Sequence, residues 1–257
     1  MTMAKPSFKR NAPTKTVVKK ILIACEGKHT EPLYFKAISR DFRLSTVKVI
    51  ILPHDGTDPL SIVDKLLEER QNKKREKTWL AGDLAWAVFD GDEHIQKDLN
   101  KWDQVIQMAK KENIQLAVTN PSIEFWYLIH FQDHFANISC SQAERGLKQH
   151  IPNYDKSICY YQDRLKPKTE EAIARANNLE RNAKQNELPE YANPCCKGIS
   201  QLVQMLLDLG ESLTLHYIKN IECPRPILIK LNRDRLLSLA KRLAKSAIAL
   251  RAVNWLH

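Results

Sequence analysis

Long apolar runs are missing from this sequence: its most apolar stretches, such as 84–89 (LAWAVF), fall far short of the roughly 20 residues that cross a bilayer. The first residues are basic with no apolar core behind them, so neither a secretory signal nor a membrane partner is expected, and the expected location is cytoplasmic. Glycine is scarce, at 7 of 257 residues, which excludes collagen-like structure, and 43% hydrophobic content excludes disorder. The cysteines Cys25, Cys140, Cys159, Cys195, Cys196 and Cys223 form no CxxC pair and no Cys/His ligand spacing. That pattern argues against a zinc site or a disulfide framework and predicts reduced, mostly buried thiols.

Acid is lacking only at the ends. Residues 1–20 carry six basic groups (Lys5, Lys9, Arg10, Lys15, Lys19 and Lys20) and no acid, and residues 211–257 carry nine basic against three acidic. The stretch between them holds 25 basic and 27 acidic groups, so the net charge of +10 comes from the two ends. The basic arm, interrupted by Pro6 and Pro13, reads either as a segment that holds phosphates without reading sequence or as a solubilising tail.

What is present along the body is alternation. Short β-branched runs at 17–25 (VVKKILIAC), 46–52 (TVKVIIL), 84–89 and 114–118 are separated by helical patterns at about 30–41, 58–77 and 95–112. Thr30 before Glu31-Pro32 is an N-terminal helix signal. A further helix follows Asn120-Pro121-Ser122 and runs through Phe131. The alternation predicts βαβ units around a mainly parallel sheet with helices on both faces, a Rossmann-like α/β core. Beyond it the pattern turns helical, near 141–149, 169–186, 195–209 and 232–253. Four segments result: a basic arm at 1–16, a catalytic α/β core at 17–135, a helical completion at 136–210 and a basic helical tail at 211–257.

In open parallel sheets the site lies beyond the carboxyl ends of the strands. Here those ends are acidic: Glu26 ends the first strand, Asp90 and Asp92 the third, and Glu124 follows the fourth within a turn. Four carboxylates at adjacent strand ends repel unless a divalent cation neutralises them, and hard oxygen ligands suit Mg²⁺ or Mn²⁺. Two such ions about 4 Å apart activate water and stabilise charge in phosphodiester cleavage, and a nearby lysine adds to that stabilisation. Lys28, Lys156 and Lys197 are the candidates, with His94, just after the acidic segment, as a phosphate contact.

Glu26-Gly27 followed one βαβ unit later by Asp90-Gly91-Asp92 resembles the Toprim domain of topoisomerases, primases and several nucleases. The blocks at 21–35 (ILIACEGKHTEPLYF), 87–94 (AVFDGDEH) and 119–131 (TNPSIEFWYLIHF) narrow the resemblance to the RloB (AbiLii-like) family of bacterial phage-defence proteins, over about residues 18–209. The resemblance implies a Mg²⁺-dependent nuclease acting on RNA or DNA, toxic in abortive infection, beside an ABC-type ATPase of the RloA/AbiLi kind. It makes Glu26 a general base or metal ligand, Asp90 and Asp92 metal ligands, and Glu124 the further acid; Lys28 and His29 would face the scissile phosphate. The family continues its late Asn-Pro with Ser or Thr, where this chain has Cys195-Cys196-Lys197, and the stretch after Gly210 falls outside the resemblance.

Other readings stand beside this one. Trp126, Tyr127 and Phe131 read as core aromatics or as base-stacking groups, and His130 and His134, four residues apart, as core histidines or a metal pair. A catalytically inactive adaptor that binds nucleic acid or recruits the ATPase is the alternative function, although it gives no reason for Glu26, Asp90 and Asp92 to occur together. The basic amphipathic tail is expected to bury its apolar side on the parent domain or on a second protomer, as in a homodimer, and to offer its cations to phosphates.

Overall fold

The computed structural model describes residues 20–42, 47–51, 58–91, 94–95 and 98–219. Four parallel strands, β1 (Ile21–Cys25), β2 (Val47–Ile51), β3 (Leu84–Asp90) and β4 (Gln115–Thr119), form one sheet in the order β2-β1-β3-β4. Cys25 lies opposite Ile51 on one side and Val88 on the other, and Asp90 lies opposite Thr119.

The sheet is sandwiched because its strands are apolar on both faces. Ile21, Ile23 and Cys25, with Trp86 and Val88, face a layer that includes Tyr34, Phe35 and Ile38 of helix α1 (Thr30–Asp41). Leu22 and Ala24, with Ala85, Ala87 and Phe89, face Ile62, Val63 and Leu66 of α2 (Pro59–Arg75) and Trp102, Val105 and Ala109 of α3 (Leu99–Lys111). Burial of both faces is why β1 and β3 read as unbroken apolar runs rather than alternating ones. The expected α/β core with helices on both faces is the observed one.

The helical half covers the α1 side. It comprises α4 (Ile123–Leu128), α5 (Cys140–His150), a π-helical turn at Tyr161–Leu165, α6 (Thr169–Gln185) and α7 (Ile199–Lys219). Ser139 caps α5 with a full capping box: its hydroxyl accepts from the Gln142 N–H, and the Gln142 side chain accepts from the Ser139 N–H.

Several boundaries differ from the sequence expectation, each for a local reason. The helix expected over 95–112 begins at Leu99, where the Asp98 carboxylate accepts the Lys101 N–H at 3.1 Å. The helix expected to reach Phe131 stops at Leu128, because the Arg175 guanidinium takes the carbonyls of Ile129 and His130 at 2.9 Å each. The helix expected at 195 starts only at Ile199. Residues 195–197 pair with the outer edge of β4 instead: Asn120 and Cys195 exchange N–H···O bonds of 2.8 Å, and the Val118 N–H donates to Lys197 at 2.9 Å. Gly198 permits the turn into α7 with φ +84°, and a Cβ there would run into the Leu116 carbonyl. The boundary read at residue 210 falls within α7. The basic arm, residues 17–19 of the first strand as read from sequence, Cys223 and the helix expected at 232–253 lie outside the described residues.

None of the five described cysteines is in a disulfide; Cys25 and Cys196 are buried, Cys140 and Cys195 half-buried and Cys159 exposed. Among the described residues no helix is long and apolar enough to cross a membrane.

Candidate active site

Strand order reverses between β1 and β3. The chain leaves β1 toward β2 on one side and leaves β3 toward β4 on the other, so the loops at their carboxyl ends diverge and open a crevice. Glu26 is the residue after β1 and Asp90 the last residue of β3, which puts both at this crevice.

The two are bonded to each other. The Asp90 main-chain N–H donates to Glu26 Oε2 at 3.2 Å, and His94 Nε2 lies 3.0 Å from Glu26 Oε1. The Thr119 hydroxyl, at the end of β4, donates to Asp90 Oδ1 at 2.8 Å. Three adjacent strand ends thus fix two carboxylates, with His94 against one of them. Desolvation, followed by repulsion from Glu31, holds the Asp90 carboxyl well above the usual carboxylate range; Glu124 and Glu26 add to the repulsion, and the Thr119 bond works against it.

Glu31, in the first turn of α1, belongs to this group. It is 4% exposed, and its carboxyl is pushed up to about 7, chiefly by burial and then by repulsion from Glu124 and Glu26. Its carboxylate folds back over the β1–α1 turn into the space beside Gly27, where a Cβ would overlap it. The Gly after Glu26 is therefore needed by Glu31. The signal in sequence was the spacing Glu26-Gly27-x-x-x-Glu31, which returns the first turn of α1 to the strand end it has just left.

Glu124 sits deeper, at 2% exposure, with both oxygens engaged. Oε2 accepts the Ser122 hydroxyl at 2.7 Å; Oε1 accepts the Tyr154 hydroxyl at 3.0 Å and pairs with Lys156 Nζ at 3.1 Å. The Thr30 hydroxyl donates to the Lys156 carbonyl at 3.2 Å, tying the 154–160 loop to the start of α1. Partial burial pulls the Lys156 ammonium down, but the Glu124 carboxylate outweighs it and keeps the group above its ordinary value.

The remaining candidates divide. Lys28 and His29 are exposed on the β1–α1 loop beside Glu26. Lys197 lies beyond the outer edge of β4, paired with Glu190 and 5.4 Å over the Tyr191 ring, so its charge is committed away from the strand-end carboxylates. Asp92 lies outside the described residues. Trp126 and Tyr127 are buried, with the Trp126 indole N–H donating to the Tyr34 hydroxyl at 3.0 Å, while Phe131 stacks on His150. His130 is buried with Nδ1 2.8 Å from the Trp126 carbonyl, and burial lowers its pKa to about 3. His130 and His134 pack against Trp126 and Phe125 respectively, as core side chains do.

Among the described residues no three His, Cys, Asp or Glu side chains are arranged around one point as a ready cation cage. Mg²⁺ does not require one, since it is commonly held by one or two carboxylates together with water and substrate phosphates. Glu26 and Asp90 fit that requirement: they offer hard oxygen donors at neighbouring strand ends, and burial with repulsion from neighbouring acids disfavours the charged Asp90 carboxylate, a penalty that a bound cation would relieve.

The late Asn-Pro segment noted in the sequence packs against the loop that follows β4. Asn120 Nδ2 donates to the Tyr191 carbonyl at 2.8 Å, and Asn193 Nδ2 donates to Asn120 Oδ1 at 3.2 Å, so the loops carrying the two Asn-Pro pairs hold one another. A family model described as RloB-like protein matches residues 21–206. No curated protein and no solved structure matches the chain.

Proposed function

The chain belongs to the RloB-like family, and from that membership and its strand-end carboxylates we propose that it is a divalent-cation-dependent nuclease, the toxic effector of a phage-defence pair whose other member is an ABC-type ATPase. The observation that carries this reading is the bonded pair Glu26 and Asp90 at the switch point of the sheet, surrounded by the further buried acids Glu31 and Glu124.

The residues at the strand ends divide the tasks of that reaction. Glu26, oriented by the Asp90 N–H and by His94, holds the cation or takes the proton of the attacking water. Asp90, oriented by Thr119, is the second carboxylate ligand, and Asp92 is expected to join it. Bound Mg²⁺ or Mn²⁺ supplies Lewis-acid polarisation of the phosphoryl group and a water of lowered pKa. Lys28 and His29, exposed on the same rim, approach the phosphate from the β1–α1 side. The ATPase partner rests on family resemblance.

The deciding experiment incubates the full-length chain with total tRNA, mRNA and plasmid DNA, in Mg²⁺, Mn²⁺ or EDTA, with and without the neighbouring ATPase. Cleavage of one class in the presence of cation, absent in EDTA and in Asp90→Asn, is the expected result. Intact substrates in every lane, partner included, would overturn the proposal in favour of an inactive adaptor.

A further inference from the structure

Glu124 and Lys156 form an ion pair of unequal exposure. The carboxylate is 2% exposed, whereas the lysine side chain is 62% exposed and reaches inward from the rim. Both Glu124 oxygens are engaged by neighbouring protein groups, one of them a lysine. Oε2 is taken by Ser122, and Oε1 is shared between Tyr154 and Lys156.

The loop that carries the lysine is built to hold it. Ser157 donates both its N–H, at 2.7 Å, and its hydroxyl, at 2.6 Å, to Asp155 Oδ1, closing a tight turn around Lys156. The Tyr160 hydroxyl accepts the Asp155 N–H at 2.9 Å, and the Thr30 hydroxyl fixes the Lys156 carbonyl. A solvated surface lysine needs none of this. The cost of ordering a long, flexible side chain is met beforehand by the loop, which is what a pre-positioned contact requires.

We infer that Lys156 is the cation that receives a substrate phosphate, and that Glu124 is the positioning residue that aims it rather than a ligand of the metal. This rests on the nuclease reading above and goes further by separating the acids: Glu26 and Asp90 serve the metal, while Glu124 serves the lysine. Lys156 stays protonated throughout and acts by charge and N–H donation to a phosphate oxygen, with no bond made or broken at the residue. Of the three lysines proposed from sequence, Lys197 is spent on Glu190, and Lys156 is tied by its ion pair to a buried acid of the site.

The test uses the full-length chain in two assays. In the first, binding of a single-stranded oligonucleotide, as RNA and as DNA, is titrated with salt in Ca²⁺, in place of the catalytic ion. Lys156→Ala is expected to weaken binding about tenfold and to lower the salt slope by about one contact's share, with Lys156→Arg restoring both. In the second, Mn²⁺ binding is measured by spin resonance on the wild type, Glu124→Gln and Asp90→Asn. Glu124→Gln, which keeps the shape of the side chain, is expected to bind Mn²⁺ within about twofold of the wild type, while Asp90→Asn loses at least about tenfold. An unchanged salt slope in Lys156→Ala, or a loss of Mn²⁺ in Glu124→Gln as large as in Asp90→Asn, would overturn the inference. Full Mn²⁺ affinity in Asp90→Asn would instead count against the metal centre itself, and the salt slope would still decide the role of Lys156.

Discussion

The main-chain N–H of Asp90 donates to the side chain of Glu26 at 3.2 Å, so the end of β3 holds in place the acid that follows β1. Because that bond uses the backbone of Asp90, its carboxyl can be changed without releasing Glu26.

Asp90→Asn should therefore lower cleavage by about a hundredfold or more while the fold persists. Thr119 still finds an acceptor at Oδ1, and a recessed carboxyl facing Glu31, Glu124 and Glu26 is replaced by a neutral group. In EDTA at pH 8 the variant should be more stable than the wild type by about 1 kcal/mol, as read from chemical unfolding. A variant that is less stable and fully active would contradict both halves.

The pH dependence of stability has a defined sign. Glu31 has its folded pKa raised to about 7 from 4.5, so the folded state binds more protons between those values. The metal-free protein should accordingly lose stability as pH rises from about 4.5 through 7, by an amount on the order of 2 kcal/mol. Glu31→Gln should remove most of this loss, so that melting curves of the two proteins converge near pH 4.5 and separate near pH 8, and Mg²⁺ should narrow the gap. At the acid end His130 acts oppositely: its folded pKa of about 3 lies below 6.5, so stability falls as pH drops through that interval. Identical pH profiles for wild type and Glu31→Gln would exclude a buried, charged Glu31.

Gly27→Ala separates site from fold. The added methyl meets the flexible end of Glu31 rather than backbone, so the protein should unfold within about 1 kcal/mol of the wild type. Cleavage should nevertheless fall sharply, since Glu31 must leave its place over the turn. Calorimetry and a cleavage assay on one preparation test the pair of outcomes, and a large loss of stability would show that the glycine has a backbone role instead.

Gly198→Ala should do the reverse. With φ +84° and the Leu116 carbonyl against the new Cβ, it should destabilise the protein by about 2 kcal/mol or more and loosen the segment that pairs with β4. Hydrogen exchange at the Val118 and Asn120 amides, which donate to residues 197 and 195, should speed up selectively. Unchanged protection there would mean that the segment is held by other contacts.

The sequence by itself determined the parts whose physics is local. Continuous apolar runs at 21–25 and 84–89 specify strands buried on both faces, and the helical periods between them leave a parallel sheet as the way to bury both. Acids immediately after those runs had to lie at the carboxyl edge, so Glu26 and Asp90 were legible as partners, as was the aromatic core around Trp126. Tertiary structure decided whatever depends on which loop meets which. Glu31 stands in the sequence only beside a helix-start signal, and it is the turn at Gly27 that folds it back over the strand end; Lys156, lying 32 positions beyond Glu124, gave no local sign that it would close on it. Lys197 showed the converse, a lysine in a promising motif that the edge of β4 and Glu190 draw away from the site. Charge and hydropathy patterns record a residue's neighbours along the chain, whereas the electrostatics of a site depend on distances set by packing between segments far apart in it.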